Sequence, residues 1–160
     1  MQNKTHDTVH TGSEEAVRGE GISWKRLPPM ALLAAFGAAV VNAIVYFAAS
    51  GLGLIPQDVL VPALCGEQPL TVAPVVIGSV VGAIGGAGVF ALIGIFARRP
   101  VRMFRIVATA VLVLSLTTPL TIPGAPLSMV LSLEAMHVAA WAVTVGVLST
   151  LVLRAEPADA

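Results

Sequence analysis

Charge is what this sequence has least of. Asp, Glu, Lys and Arg make up 11% of its 160 residues, while 56% are hydrophobic; soluble domains carry about 25% charged residues. A water-soluble fold of this length leaves much of its surface exposed and has nowhere to hide so much apolar area. A fold in free solution is thereby excluded, and lipid is left as the solvent. Cysteine is almost missing too. The lone Cys65 rules out an internal disulfide, and it reads as a packed or idle thiol. Spanning strands are excluded by a third absence, since they alternate polar and apolar residues over about ten positions, whereas residues 31–49 are apolar almost throughout. No nucleophile–base triad, phosphate-binding loop or dinucleotide fingerprint occurs. The glycines of residues 82–88 lie inside an apolar run, where they cannot cradle a phosphate. The sequence therefore predicts no enzyme activity, no cofactor, no metal site and no nucleic-acid partner.

What is present is a set of long apolar runs. No charged residue lies between Arg26 and Asp58, between Glu67 and Arg98, or between Arg105 and Glu134. Each gap exceeds the roughly 20 residues with which a helix crosses about 30 Å of hydrocarbon. A fourth run, residues 127–153, is interrupted by Glu134 and His137. The expected fold is all-α: an integral membrane four-helix bundle with spans near 29–52, 71–97, 104–122 and 127–153. Helices meet the bilayer's requirement that backbone groups be satisfied within the segment.

The nine Lys and Arg residues set an expected orientation. Lys4, Arg18, Lys25 and Arg26 precede the first span; Arg98, Arg99, Arg102 and Arg105 surround the second turn; Arg154 follows the last span. Segment 53–70 carries only Asp58 and Glu67, and the turn at Pro123–Pro126 carries no charge. By the positive-inside rule both termini and the basic loop Arg98, Arg99, Arg102, Arg105 are cytoplasmic, in a multi-pass protein of the cell (plasma) membrane. Residues 1–28 read as a polar, disordered N-terminal tail, because they cannot bury enough apolar surface to offset the entropy of ordering. Its His6 and His10 read as solvated. Residues 154–160 form a short polar C-terminal tail. The long polar leader and the length of the first apolar run argue against a cleaved signal peptide. Segment 53–70, with Pro56, Pro62 and Pro69, is expected to rest on the membrane surface or to cap the bundle.

Two features stand out within the spans. Gly78, Gly82 and Gly86 form overlapping small-xxx-small repeats on one helix face, which lets another backbone approach closely. The expectation is helix packing against a matching stripe of Ala34, Ala38 and Asn42, or an interface with a second copy or another membrane protein. The other feature is Glu134 and His137, three residues apart and so on one helix face. An ionised side chain at mid-membrane costs about 2.5–3.5 kcal/mol on insertion scales, so Glu134 needs a polar setting. Depth along the helices suggests one polar cluster of Asn42, Thr117 or Thr118, Glu134 and His137. Such a cluster reads as a hydrogen-bond network orienting the helices, or as a proton-responsive site. A di-iron site would need further carboxylates that the spans lack. Pro119 is expected to kink or end the third helix, with the neighbouring threonine hydroxyls satisfying carbonyls freed there.

The strings Val41-Asn42-Ala43-Ile44-Val45-Tyr46, Phe96-Ala97-Arg98-Arg99-Pro100, Leu116-Thr117-Thr118-Pro119-Leu120 and Met136-His137-Val138-Ala139-Ala140 give the chain a resemblance. Over residues 27–153 it resembles the uncharacterised four-span membrane proteins of actinobacteria, a domain of unknown function. The resemblance implies an integral membrane protein without an assigned catalytic role. The expected function is that of a structural or accessory membrane component. The alternative is a small proton-coupled transporter or pH-responsive channel using Glu134 and His137.

Overall fold

The computed structural model describes residues 23–63 and 66–152. The polar tail up to residue 22, Cys65 and the 154–160 tail lie outside the described residues. The elements run α1 (Leu27–Gly51), β1 (Leu60–Ala63), β2 (Gly66–Pro69), α2 (Val72–Phe96), α3 (Pro100–Ser115), α4 (Thr117–Leu120) and α5 (Leu127–Val152). The short α4 continues α3 past a break at Leu116. Among the described residues four helices are long and apolar enough to cross a membrane: Leu27–Gly51, Val72–Phe96, Pro100–Leu120 and Leu127–Thr150. The all-α four-helix bundle read from the sequence is the observed fold, with one small hairpin added.

Helix α1 is the centre of the bundle. Of its most apolar stretch 39% is buried within the protein, against 11% for the α3–α4 span, and it packs along both α2 and α5. The reason lies in its small residues. Ala34 and Ala38 are fully buried, and a Cβ placed on Gly37 would come within 3.1 Å of Val143 Cγ1, so α5 lies directly on the α1 backbone. The large residues of α1, Leu32, Phe36, Ile44 and Phe47, point outward to lipid. Pro28 and Pro29 occupy the first turn, where the missing amide hydrogens have no helical partner in any case.

Two apolar clusters close the bundle at its ends. At the end carrying the arginines, Phe90 and Phe104 meet edge to face with centroids 4.9 Å apart, packed with Met30, Val101, Val145 and Leu148. At the other end Tyr46, Ile55, Val61, Leu70, Met129 and Met136 pack together. Half of this second cluster comes from segment 53–70, which folds back over the helices. The segment holds an antiparallel pair, β1 with β2, in the register Leu60 to Pro69 and Val61 to Gln68. It is tied down by the Tyr46 hydroxyl donating to the Leu70 carbonyl at 3.1 Å and the Ser128 hydroxyl donating to the Leu54 carbonyl at 3.2 Å. Of the two expectations for this segment, capping the bundle is the one observed.

Two boundaries need correction. The third span begins at Pro100, not near residue 104, because proline is well suited to the first helical position. Arg102 and Arg105 are therefore helical, and only Arg98 and Arg99 remain in the turn. Arg105 also reaches across to α5, its Nε donating to the Ser149 hydroxyl at 3.3 Å. The expected break near Pro119 comes three residues earlier, at Leu116. There the hydroxyls of Ser115 and Thr117 donate to the carbonyls of Leu112 and Leu114, each at 2.7 Å.

Candidate functional site: a cavity between α2, α3 and α5

Helix α3 meets its neighbours closely only around Val101 and Phe104. Beyond that point it stands away from α2 and α5, and a cavity of about 690 Å³ lies between the three helices. That volume falls within the 300–1,000 Å³ of typical small-molecule pockets. Val61 and Leu70 of the hairpin segment bound it at one end and Phe104 and Val145 at the other. The walls are chiefly apolar.

The glycines of α2 make the space. A Cβ at Gly78, Gly82 or Gly85 would meet nothing within 4 Å, and all three line the cavity. The face of α2 that packs on α1 is the adjacent one, formed by Ser79, Ala83 and Ala87. The stripe of Ala34, Ala38 and Asn42 is thus buried against Ser79 and Ala83, one residue around from the expected glycines. Gly86 alone of the expected set makes a close approach, with a built Cβ 3.2 Å from Thr144 Cγ2 on α5. The physical reason is that α2 carries small residues on two adjoining faces. Ser79 can also hydrogen bond to Asn42, which glycine cannot.

The polar groups on the cavity wall are few and specific. Asn42 is 5% exposed and its Nδ2 donates to the Ser79 hydroxyl at 2.8 Å. Ser79 in turn donates to the Val75 carbonyl at 2.7 Å, so its single hydrogen is committed and it can only accept from Asn42. That fixes the amide orientation and leaves Asn42 Oδ1 toward the remaining space, buried and without a partner. The indole Nε1 of Trp141 is likewise buried and unpartnered. His137 Nδ1 lies 2.8 Å from the Leu133 carbonyl. A carbonyl only accepts, so Nδ1 carries the hydrogen and the neutral ring presents Nε2 as an acceptor.

These groups share a level. Gly37 meets Val143 and Gly86 meets Thr144, which sets the three helices in register. Counting toward the hairpin at 1.5 Å per residue, Asn42 lies about 7.5 Å from the first contact and His137 about 9 Å. From the second contact, Ser79 and His137 each lie about 10.5 Å away. Trp141 sits about 6 Å nearer the arginine end than His137.

Of the residues singled out in the sequence, the cavity brings together Asn42, Thr118 and His137. It does not include Thr117, whose exposed hydroxyl bonds back to its own helix, or Glu134, which is half-buried on α5 but off the cavity wall. Ser79 and the Trp141 indole belong to the site, and sequence reasoning passed over Ser79 as one more small residue in a glycine run. Its spacing of four from Val75 was the available signal, because a serine within a helix can donate to the carbonyl four residues back.

Four lipid-length helices around a partly polar cavity define a multi-pass membrane protein. Residues 23–154 match a family of unknown function (DUF6069), and the chain belongs to that family. The match covers nearly the whole region over which the resemblance to a domain of unknown function was read. No curated protein and no solved structure matches the chain.

Proposed function

We propose that this protein is an accessory component of the plasma membrane that binds a small hydrophobic molecule drawn from the bilayer. The binding place is the α2–α3–α5 cavity, and the role is one of binding, without catalysis. Both termini face the cytoplasm, as in the actinobacterial proteins the chain resembles. One observation carries this reading: an apolar cavity of about 690 Å³ whose wall holds two buried polar atoms, Asn42 Oδ1 and Trp141 Nε1, with no partner in the protein. Unpaired buried polar atoms cost about 1–3 kcal/mol each, and a ligand that pairs them recovers that energy. Mostly apolar walls with a few converging polar groups are the usual make-up of such sites. Access from the lipid side is provided by the exposed Gly78, Gly82 and Gly85, which present no side chain to block it.

Proton-coupled passage through Glu134 and His137 has weaker support. Only His137 is on the cavity wall, and Phe90 and Phe104 fill the bundle toward the arginine end.

Filling the cavity tests the proposal. Gly82→Leu places a side chain where there is open space, so the fold is expected to persist. Intact-mass spectrometry of protein extracted in mild detergent should show a bound non-protein molecule in the parent and its loss in Gly82→Leu. Equal occupancy in both proteins would defeat the proposal.

A further inference from the structure

We infer that the cavity selects hydrophobic molecules whose polar end is a hydroxyl group, seated at the level of Asn42 and His137. The inference rests on the cavity reading above and adds the chemistry of the ligand. At that level the protein offers two acceptors. Asn42 Oδ1 is buried and unpartnered, and His137 Nε2 carries a lone pair because Nδ1 donates to Leu133. The donors nearby are already engaged: Asn42 Nδ2 holds Ser79, and the Ser79 hydrogen is committed to Val75. An ether or ester oxygen at this place would face acceptors and leave them unsatisfied. A hydroxyl donates to one of them, while its oxygen remains free to accept. An ammonium group would also donate, but an unpaired charge in a membrane costs about 2.5–3.5 kcal/mol on insertion scales, and Glu134, the acid closest in sequence, is not on the wall. A spanning helix of a partner does not suit the space, because the hairpin segment and Phe104 close it at both ends.

Trp141 supplies the reporter. The chain has two tryptophans, so Trp24→Phe leaves Trp141 as the sole indole, on the wall of the cavity. This protein in lipid nanodiscs is titrated with 1-dodecanol and, separately, with dodecyl methyl ether, which has similar bulk and no donor. Trp141 emission is read against mole fraction in lipid. The alcohol should half-saturate at a mole fraction about tenfold lower than the ether, the factor given by about 1.4 kcal/mol. In Asn42→Leu/His137→Leu that preference should fall to about unity while the ether still binds. If the double variant does not fold, His137→Leu alone, whose Nδ1 bond is only to its own helix, should reduce the preference at least threefold. Equal binding of alcohol and ether by the parent protein, or a preference that survives both substitutions, overturns the hydroxyl inference and leaves the cavity reading standing. No emission change with either probe, in the parent and in Gly82→Leu alike, overturns the cavity reading itself.

Discussion

Ser79 shows how one hydroxyl organises a helix interface in lipid. It accepts from Asn42 across the α1–α2 seam and donates to Val75 on its own helix. In hydrocarbon such interhelical bonds average only about 0.6 kcal/mol and reach about 1.7 kcal/mol, because the separated helices also find partners. Ser79→Ala removes the acceptor but leaves the Asn42 amide beside open space, where it can turn. The expected loss is therefore about 1 kcal/mol, short of the 3 kcal/mol that a fully trapped group can cost. Unfolding in mixed micelles measures it, and the double variant Asn42→Leu/Ser79→Ala should lose less than the two single variants summed, as coupled neighbours do. Strict additivity would remove this bond as a link between the helices. The same residue shows what the one-dimensional pattern left undecided. Small residues run around α2 from Gly78 to Ser79 and from Gly82 to Ala83, so composition alone had no means of choosing which stripe meets α1. The choice fell to the stripe with a hydrogen bond and methyl groups to pack, and the bare glycines were left as the wall of a cavity.

At the scale of elements, the helices were legible and the hairpin was not. A helix in lipid announces itself by length, and the apolar runs of α1, α2 and α5 are long enough that few alternatives exist. The β1–β2 pair has no such mark. Its strands are four residues each, with Pro62 in one and Pro69 ending the other, and proline is a poor strand residue away from edges. An isolated hairpin is marginal in water. This one is held because Val61 and Leu70 bury against Tyr46, Met129 and Met136. The chain enters this cap through the end of α1. Leu54 N–H bonds to the Ala49 carbonyl at 2.9 Å and Gly53 N–H to the Ser50 carbonyl at 3.0 Å, the paired bonds of a Schellman motif. Gly53 has φ of 70°, a left-handed conformation that costs a residue with a Cβ about 1–2 kcal/mol. Gly53→Ala should lower stability by about that amount and loosen the cap, detected as faster amide exchange at Leu54 and Ile55. Gly51→Ala is the contrast: Gly51 is helical with open space around it, so alanine there should be neutral or slightly stabilising. Equal damage from both would contradict the role given to the turn.

The molecule as a whole is polarised by charge. The start of α1 and the α2–α3 turn, with Lys25, Arg26, Arg98, Arg99, Arg102 and Arg105, lie at one end, and Asp58 and Glu67 lie at the other. The number of membrane crossings follows from the apolar helices. Which end faces the cytoplasm follows only from this asymmetry, through the bias against moving Lys and Arg across the membrane during insertion. The two ends also differ in build. The arginine end is closed by tightly packed aromatic rings, and the opposite end is covered by the hairpin cap. If the basic end is cytoplasmic, the cap lies outside and the polar level of the cavity sits in the outer half of the bilayer. Thiol labelling decides this. In a Cys65→Ser background, which removes the one native cysteine, Gln57→Cys puts a thiol at an exposed position of the cap segment, and Arg99→Cys puts one in the exposed basic turn. A membrane-impermeant maleimide added to intact cells should modify the first and spare the second until the membrane is opened. The Arg99 substitution leaves the other basic residues in place, so the bias that orients the chain is nearly unchanged. Labelling of the Arg99→Cys protein in intact cells would invert the topology and put the polar level of the cavity in the inner half of the bilayer, where a hydroxylated ligand would have to be drawn from the cytoplasmic leaflet.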